Sequence, residues 1–192
     1  MGLFDTLLGR RRVAPPAADR LFAITTAAVD LQSQNAIVTR GAAAVVFQPL
    51  PTGDFERIVA DIEAVVRATG TETESTIEHQ TDALGYHWMI VRDNDVDDLA
   101  VGLNAVGDEL ATGGYSDRIL CAVFAFEDSA KAPVYLIYNY KRGTWYPFSP
   151  KGAAGVQERD GERELRLGSI IGVGLPVEPD VTRWFPLWGI PV

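Results

Sequence analysis

Three aspartates at alternate positions, Asp93, Asp95 and Asp97, have the spacing in this chain that comes nearest to a metal site. Carboxylates at this spacing open the calcium loop of an EF-hand, where their oxygen atoms coordinate the ion. The match ends there, because the glycine position of such a loop holds Asp98 and its twelfth position holds Asn104. Carboxylates also cap the free N–H groups at the start of a helix. We therefore predict that these aspartates cap a helix rather than bind calcium.

The residues that serve most often as metal ligands or nucleophiles are few. His79 and His87 are the only histidines, Cys121 is the only cysteine, and a zinc site needs about four closely arranged ligands. Cys121 lies in an apolar stretch, which favours a small buried hydrophobic residue. The chain has no nucleophile elbow, P-loop or dinucleotide-binding motif. The sequence assigns no catalytic residue and no metal, and it implies no cofactor. The alternative is an enzyme that uses Cys121, or carboxylates that belong to no recognisable sequence motif.

Composition narrows the class of protein. At 192 residues, with 47% hydrophobic residues, the chain can bury a core of its own and is typical of a soluble globular protein. A net charge of -9 argues against a nucleic-acid partner, which would require a basic face. The apolar runs are far shorter than the ~20 residues of a membrane span. Without a signal-peptide pattern or a second cysteine for a disulfide, we expect a cytoplasmic protein.

Residues 1–14 differ from the rest of the chain, because they combine an apolar stripe with a basic cluster. These residues are Leu3, Phe4, Leu7, Leu8, Arg10, Arg11 and Arg12. The layout is typical of a short interfacial helix on an anionic membrane surface. It also fits a segment that binds a partner protein or covers the body of its own chain. We predict a membrane- or partner-binding segment over 1–14 and a single domain over 15–192.

The hydrophobic periodicity predicts the elements that would position these residues. A period of 3.6 predicts helices over 53–69 and 95–112, and a weaker pattern favours a helix over 162–171. The predicted strands are 26–32, 42–48, 86–92, 118–126 and 133–140, the last two forming a hairpin. The order of helices and strands predicts an α+β fold, mainly an antiparallel sheet with helices packed on one face.

Aromatic residues are concentrated in two places, a stretch near residue 140 and the last residues of the chain. They are Tyr140, Trp145, Tyr146, Phe148, Trp184, Phe185 and Trp188. Large aromatic side chains contribute strongly when their faces are buried. We therefore predict one aromatic cluster in which the last residues dock as a tail that closes the fold. The alternative is an exposed site that receives a partner or ligand.

Three motifs resemble those of a known family. They are Met-Gly-Leu-Phe-Asp-Thr-Leu-Leu-Gly-Arg at 1–10, Tyr-Lys-Arg-Gly-Thr-Trp-Tyr-Pro-Phe at 140–148, and Leu-Pro-Val-Glu-Pro-Asp at 175–180, followed by Arg-Trp-Phe-Pro-Leu-Trp-Gly. In their order and spacing the chain resembles the PspA-associated protein family PspAB. The segments 71–83 and 152–163 carry little of this resemblance.

The resemblance implies a role in a phage-shock-type envelope stress response. In that response PspA, a membrane-remodelling coiled-coil protein, protects the inner leaflet, and family members are often encoded near a membrane-embedded peptidase. The implied partners are a PspA-like protein or that peptidase, with an anionic membrane surface as a further candidate. We expect a non-enzymatic accessory protein, peripheral on the inner face of the membrane. The alternative is a soluble interaction module without membrane contact.

Overall fold

A computed structural model describes residues 18–70, 75–151 and 156–192 of the chain. Its helices are α1 (Ala18–Asn35), α2 (Gly53–Gly70), α3 (Val96–Thr112) and α4 (Gly161–Ile171). Its strands are β1 (Val38–Phe47), β2 (Thr76–Thr81), β3 (His87–Arg92), β4 (Ile119–Glu127), β5 (Pro133–Asn139), β6 (Thr144–Phe148), β7 (Pro150–Lys151) and β8 (Glu158–Arg159). Short 3₁₀ turns cover Ser116–Arg118 and Val181–Arg183. The fold is α+β, as predicted.

The main sheet has six strands in the order β2-β3-β1-β4-β5-β6, and every neighbouring pair is antiparallel. The strands predicted over 42–48, 86–92, 118–126 and 133–140 are β1, β3, β4 and β5. Ala44, in the central strand β1, pairs with Ile90 of β3 and Val123 of β4. Strands β7 and β8 form a separate two-stranded ribbon.

The central strands of the sheet, β1, β3, β4 and β5, are buried on both faces, whereas the edge strand β2 is mostly exposed. Alternate residues of a strand point to opposite faces, and in β1 Ala43 and Val45 join one core while Ala44 and Val46 join another. The first core lies under the helices, which pack on one face as predicted. As far as the described residues go, the second core holds strand residues and residues of the chain after Ile171, with Tyr86 from a turn packed against it, but no helix residue. We call residues 184–192 the tail.

The prediction of a strand over 26–32 is wrong, because this segment is part of helix α1. Leu21, Ile24, Ala28 and Leu31 recur at helical spacing and are buried against the first core. The β-branched residues between them favoured a strand, but Val29 is 65% exposed and faces outward. Packing of the apolar helix face has therefore outweighed the local preference.

The prediction that the aspartates before α3 cap a helix is confirmed. Asp95 is the N-cap residue, and its carboxylate accepts a hydrogen bond from the backbone N–H of Asp97 at 2.8 Å. The carboxylate of Asp93 in turn accepts one from the N–H of Asp95 at 2.8 Å. Capping of this kind satisfies donors that a helix leaves free at its start.

The close approach of the tail to α4 generates a stability prediction. A Cβ added at Gly168 would lie 2.5 Å from Cη2 of Trp184, whereas one added at Gly161 in the same helix would have nothing within 4 Å. We expect Gly168→Ala to lower the free energy of unfolding by about 1–2 kcal/mol, because overpacking outweighs the gain in helix propensity. Urea denaturation checks this value. Gly161→Ala is the matched control, and equal stability of the two variants would contradict the packing of Trp184 on α4.

Candidate functional site

The aromatic residues predicted to form one cluster lie on both faces of the sheet. Tyr140 and Trp145 belong to the core under the helices, whereas Tyr146, Phe148 and Trp184 belong to the core on the tail side. Trp188 packs against this second core, and Phe185 is 61% exposed. The alternation of side chains along β6 separates Trp145 from Tyr146, because neighbouring residues of a strand face opposite ways.

Trp145 is fully buried beneath the helices. Its ring centroid lies 5.0 Å from that of Tyr138 and 5.7 Å from that of Phe124. Its indole N–H donates to the backbone carbonyl of Arg20 in α1 at 3.0 Å. Tyr140 makes an edge-to-face contact with Tyr138 at 5.1 Å. Trp145 therefore ties α1 to the sheet, and since both residues are buried neither is available to a partner.

On the other face, polar contacts anchor the tail. The indole N–H of Trp184 donates to the carbonyl of Glu178 at 2.9 Å, and the Arg159 guanidinium donates to the carbonyl of Trp184 at 2.7 Å. The same guanidinium binds the carboxylate of Glu164, which is only 1% exposed. Further along the tail, Trp188 packs edge-to-face on Phe148, with the two ring centroids 5.1 Å apart. The tail is therefore fixed to the sheet and to α4.

A groove separates the tail from the turn that joins β2 and β3, and we call it the tail groove. Its volume is about 840 Å3, within the range of ligand sites in proteins. The floor includes Val46, Trp88 and Cys121. Leu84 from the turn and Phe185 from the tail also line it, and they are 82% and 61% exposed. These two side chains give the groove an apolar rim that is open to solvent.

Asp82 holds the turn on one side of the tail groove in shape. Its carboxylate accepts hydrogen bonds from the backbone N–H groups of Leu84 and Tyr86, both at 2.9 Å, and from the indole N–H of Trp88 at 3.0 Å. Burial acts to raise the pKa of Asp82, but the hydrogen bonds from Trp88 and the backbone outweigh it and lower the pKa. The charged carboxylate thus orders the rim that carries Leu84.

The two histidines, which lie eight residues apart in sequence, meet in space. His79 on β2 and His87 on β3 are diagonal neighbours across the hairpin, with Nε2 of His79 2.9 Å from Nδ1 of His87. Burial, with the charge of His79, lowers the pKa of His87. The sequence analysis missed this pair. A signal was present in the sequence, because in a hairpin whose connection covers residues 82–86 two residues at 79 and 87 lie on the same face of the sheet.

The imidazole pair borders a second pocket, of about 360 Å3, on the helix-covered side of the hairpin. This histidine pocket is lined by Pro49, Leu50, Pro51, Phe55, Glu56, Val59, His79 and His87. Among the described residues, no three side chains of histidine, cysteine, aspartate or glutamate stand together closely enough to hold a metal ion.

The segment predicted to bind a membrane or partner lies outside the described residues, and so does the predicted domain boundary after residue 14. The residues of that prediction are Leu3, Phe4, Leu7, Leu8 and Arg10–Arg12. Within the described ranges, no helix has the length and apolar character needed to cross a membrane.

Comparison with known proteins gives one informative result. The model of a family described as PspAB, PspA associated protein B, matches residues 1–192, which is the whole chain. No curated protein and no solved structure matches it.

The environment of Cys121 generates a prediction about reactivity. Burial raises the pKa of its thiol to about 12, and the thiolate is the reactive form. At pH 8 we expect a disulfide reagent such as Ellman's reagent to react roughly a thousandfold more slowly than with an exposed thiol, because so little thiolate is present. The same reagent should react at the normal rate in denaturant. Rapid reaction of the folded protein would instead favour an enzyme that uses Cys121.

Proposed function

The chain belongs to the PspAB family, the PspA associated B proteins, and from this membership we propose that it is an accessory protein that binds PspA in an envelope-stress response. The family's name supports the association with PspA. The proposed activity is binding rather than catalysis. We place the protein in the cytoplasm, where it would act at the inner face of the membrane.

The tail groove is the observation that supports a binding role most directly. Soluble proteins seldom leave large contiguous apolar surfaces open unless these bind something, and Leu84 and Phe185 both expose most of their side chains at the groove. A coiled-coil partner, which the resemblance to the family implies for PspA, presents helices with one apolar face. Such a helix binds in an apolar groove through side chains at positions i, i+3, i+4 and i+7. We therefore assign the groove to a helix of PspA.

Charge substitutions at the rim test this assignment. We expect Leu84→Asp and Phe185→Asp each to weaken binding to purified PspA by roughly thirtyfold, the loss of about 2 kcal/mol that marks a hot spot at an interface. Both side chains are mostly exposed, so the variants should fold as the wild type does. Isothermal titration calorimetry with the full chain measures the affinities, and thermal melts check the folding.

Val173→Asp is the matched control, because Val173 is 87% exposed and does not line the tail groove. It introduces the same charge on another surface and should bind PspA like the wild type. Unchanged affinity in both rim variants would place the partner elsewhere on the molecule. Binding of the wild type to the membrane-embedded peptidase but not to PspA would contradict PspA as the occupant of the groove.

Residues 1–14 support a second, separable contact with the membrane. This segment contains three arginines and one aspartate, a net charge of +2, which leaves -11 on residues 15–192. Anionic lipid attracts a basic segment and repels the acidic remainder, so contact through this end of the chain is electrostatically favoured. A short amphipathic segment gives only marginal, reversible membrane binding. We propose that it adds to the contact with PspA and does not replace it.

Co-sedimentation with vesicles tests the membrane contact. The full chain should sediment with anionic vesicles at low salt and much less with zwitterionic ones, because its arginines bind acidic headgroups and salt screens this attraction. A chain that lacks residues 1–14 should stay in the supernatant in both cases. Equal sedimentation of the two proteins, or none by either, would leave a soluble PspA-binding module without membrane contact.

A further inference from the structure

The histidine pocket has a chemistry that the proposed binding of PspA does not use. Its walls are apolar side chains, including Leu50, Phe55 and Val59, and the polar side chains that line it are His79, His87 and Glu56. Two imidazoles and one carboxylate are the protein ligands of a common type of open zinc site, in which a water or substrate takes the fourth position. The pocket therefore contains the side chains of a candidate metal site, two imidazoles and one carboxylate, between apolar walls.

The spacing of the imidazole nitrogens is close to what a metal ion requires. Nε2 of His79 and Nδ1 of His87 are 2.9 Å apart. Two nitrogen ligands of a tetrahedral zinc ion, each about 2.0–2.1 Å from the metal, are about 3.3 Å apart. The two nitrogens need to separate by only about 0.4 Å to reach this spacing, and each ring must also turn so that its lone pair points at the ion and not at the other ring. His79 is exposed at the sheet edge and can make this movement, while His87 packs against Phe47 with ring centroids 5.6 Å apart.

The proton between the two rings can leave the site without a net change in charge. In a hydrogen bond between two neutral imidazoles, one of the facing nitrogens carries the proton and the other accepts it. A metal ion needs a lone pair on both nitrogens. The shared proton moves to the other nitrogen of its own ring, which is unprotonated in the neutral form. Both imidazoles then face the metal as neutral ligands.

The third ligand comes from helix α2. Glu56 lies in the first turn of α2, is exposed and lines the same pocket as the imidazole pair. As the side chains stand, its carboxylate is not grouped with the two imidazoles. Its side chain has staggered alternatives about each carbon–carbon bond, and coordination by Glu56 requires a rotation that turns its carboxylate toward the two imidazoles.

We propose that the histidine pocket binds one divalent transition-metal ion of the zinc type through His79, His87 and Glu56. The fourth position stays open to water or to a small ligand in the pocket. Zinc suits a set of nitrogen and oxygen ligands and needs no particular d-electron geometry. Strand β2, at the edge of the sheet, and helix α2 flank the pocket, and a bound ion would link them.

Zinc titration of the full chain against a chromophoric chelator tests the site. The chain contains no histidine other than these two, so any imidazole-dependent binding must occur here. We expect one ion per chain, with affinity reduced roughly tenfold to a hundredfold or more in His79→Gln and in His87→Gln, since even residues that only support a ligand contribute that much. Glu56→Gln should also weaken binding. Glu78→Gln is the matched control, because Glu78 lies on β2 beside His79 and does not line the pocket.

Two further measurements separate loss of the ligand from loss of the fold. Cobalt binding should give the strong visible absorption of a four-coordinate ion in the wild type and in Glu78→Gln, and only the weak absorption of the hydrated ion in His79→Gln. Zinc should raise the melting temperature of the wild type but not that of His79→Gln, because only the native site binds it.

The proposal is overturned if the wild type binds no zinc in a ratio of one ion to one chain. It is also overturned if His79→Gln, folded by circular dichroism, binds as the wild type does, because the ion would then lie elsewhere. Unchanged affinity in Glu56→Gln removes the carboxylate from the ligand set and overturns the assignment of three ligands. None of these results depends on PspA, so they leave the test of the tail groove independent.

Discussion

Every residue of β1 from Ala42 to Phe47 is buried, so the centre of the sheet must be covered on both sides. The helices provide one cover, and the tail provides the other. The second cover is narrow and depends on a few polar anchors, chiefly the Arg159 guanidinium between Glu164 and the carbonyl of Trp184. Glu164 is buried and Arg159 is about one-third exposed, so loss of the Arg159 guanidinium would leave the Glu164 carboxylate without a compensating charge. Through these two contacts Arg159 couples α4 to the tail.

The two candidate sites lie on opposite sides of one hairpin. Trp88 and His87 are neighbours in β3, and their side chains point to opposite faces, Trp88 toward the tail groove and His87 toward the histidine pocket. The outer strand of this hairpin, β2, has a sheet neighbour on one side only. The opposite edge differs, since Trp145 of β6 exchanges backbone hydrogen bonds with Pro176 and Glu178. Within residues 18–70, 75–151 and 156–192, the hairpin edge is therefore the more accessible of the two, and both pockets border it.

The sequence predicted the fold better than it predicted the sites. Helices α2 and α3 were predicted from the 3.6-residue period of their apolar residues and from the glycines at their ends, Gly70 and Gly113. Both signals are local in the sequence. Helix α1 was missed, because Thr26 and Val29 favour a strand locally and only packing shows that Leu21 and Leu31 lie on one buried face. The prediction of one aromatic cluster did not take into account that neighbouring residues of β6, such as Trp145 and Tyr146, face opposite sides of the sheet. The imidazole pair follows from the hairpin register, in which Thr81 pairs with His87 and His79 with Met89. The spacing of the histidines was visible in the sequence, but the predicted strands did not include β2, so the register could not be derived.

The position of the tail in the chain has a consequence for biosynthesis. The tail follows all six strands, so the ribosome completes the sheet and its helices before it makes the residues that cover the second face. A nascent chain that lacks residues 184–192 leaves the face that carries Ala44, Val123 and Ile137 without Trp184, Trp188 and Val192, which pack against this core in the folded protein. Bare apolar surface of this kind is what makes incomplete chains prone to aggregate and dependent on chaperones. Strand pairing alone therefore does not protect the newly made protein from self-association, because residues 184–192 must also be made and must dock on the second face.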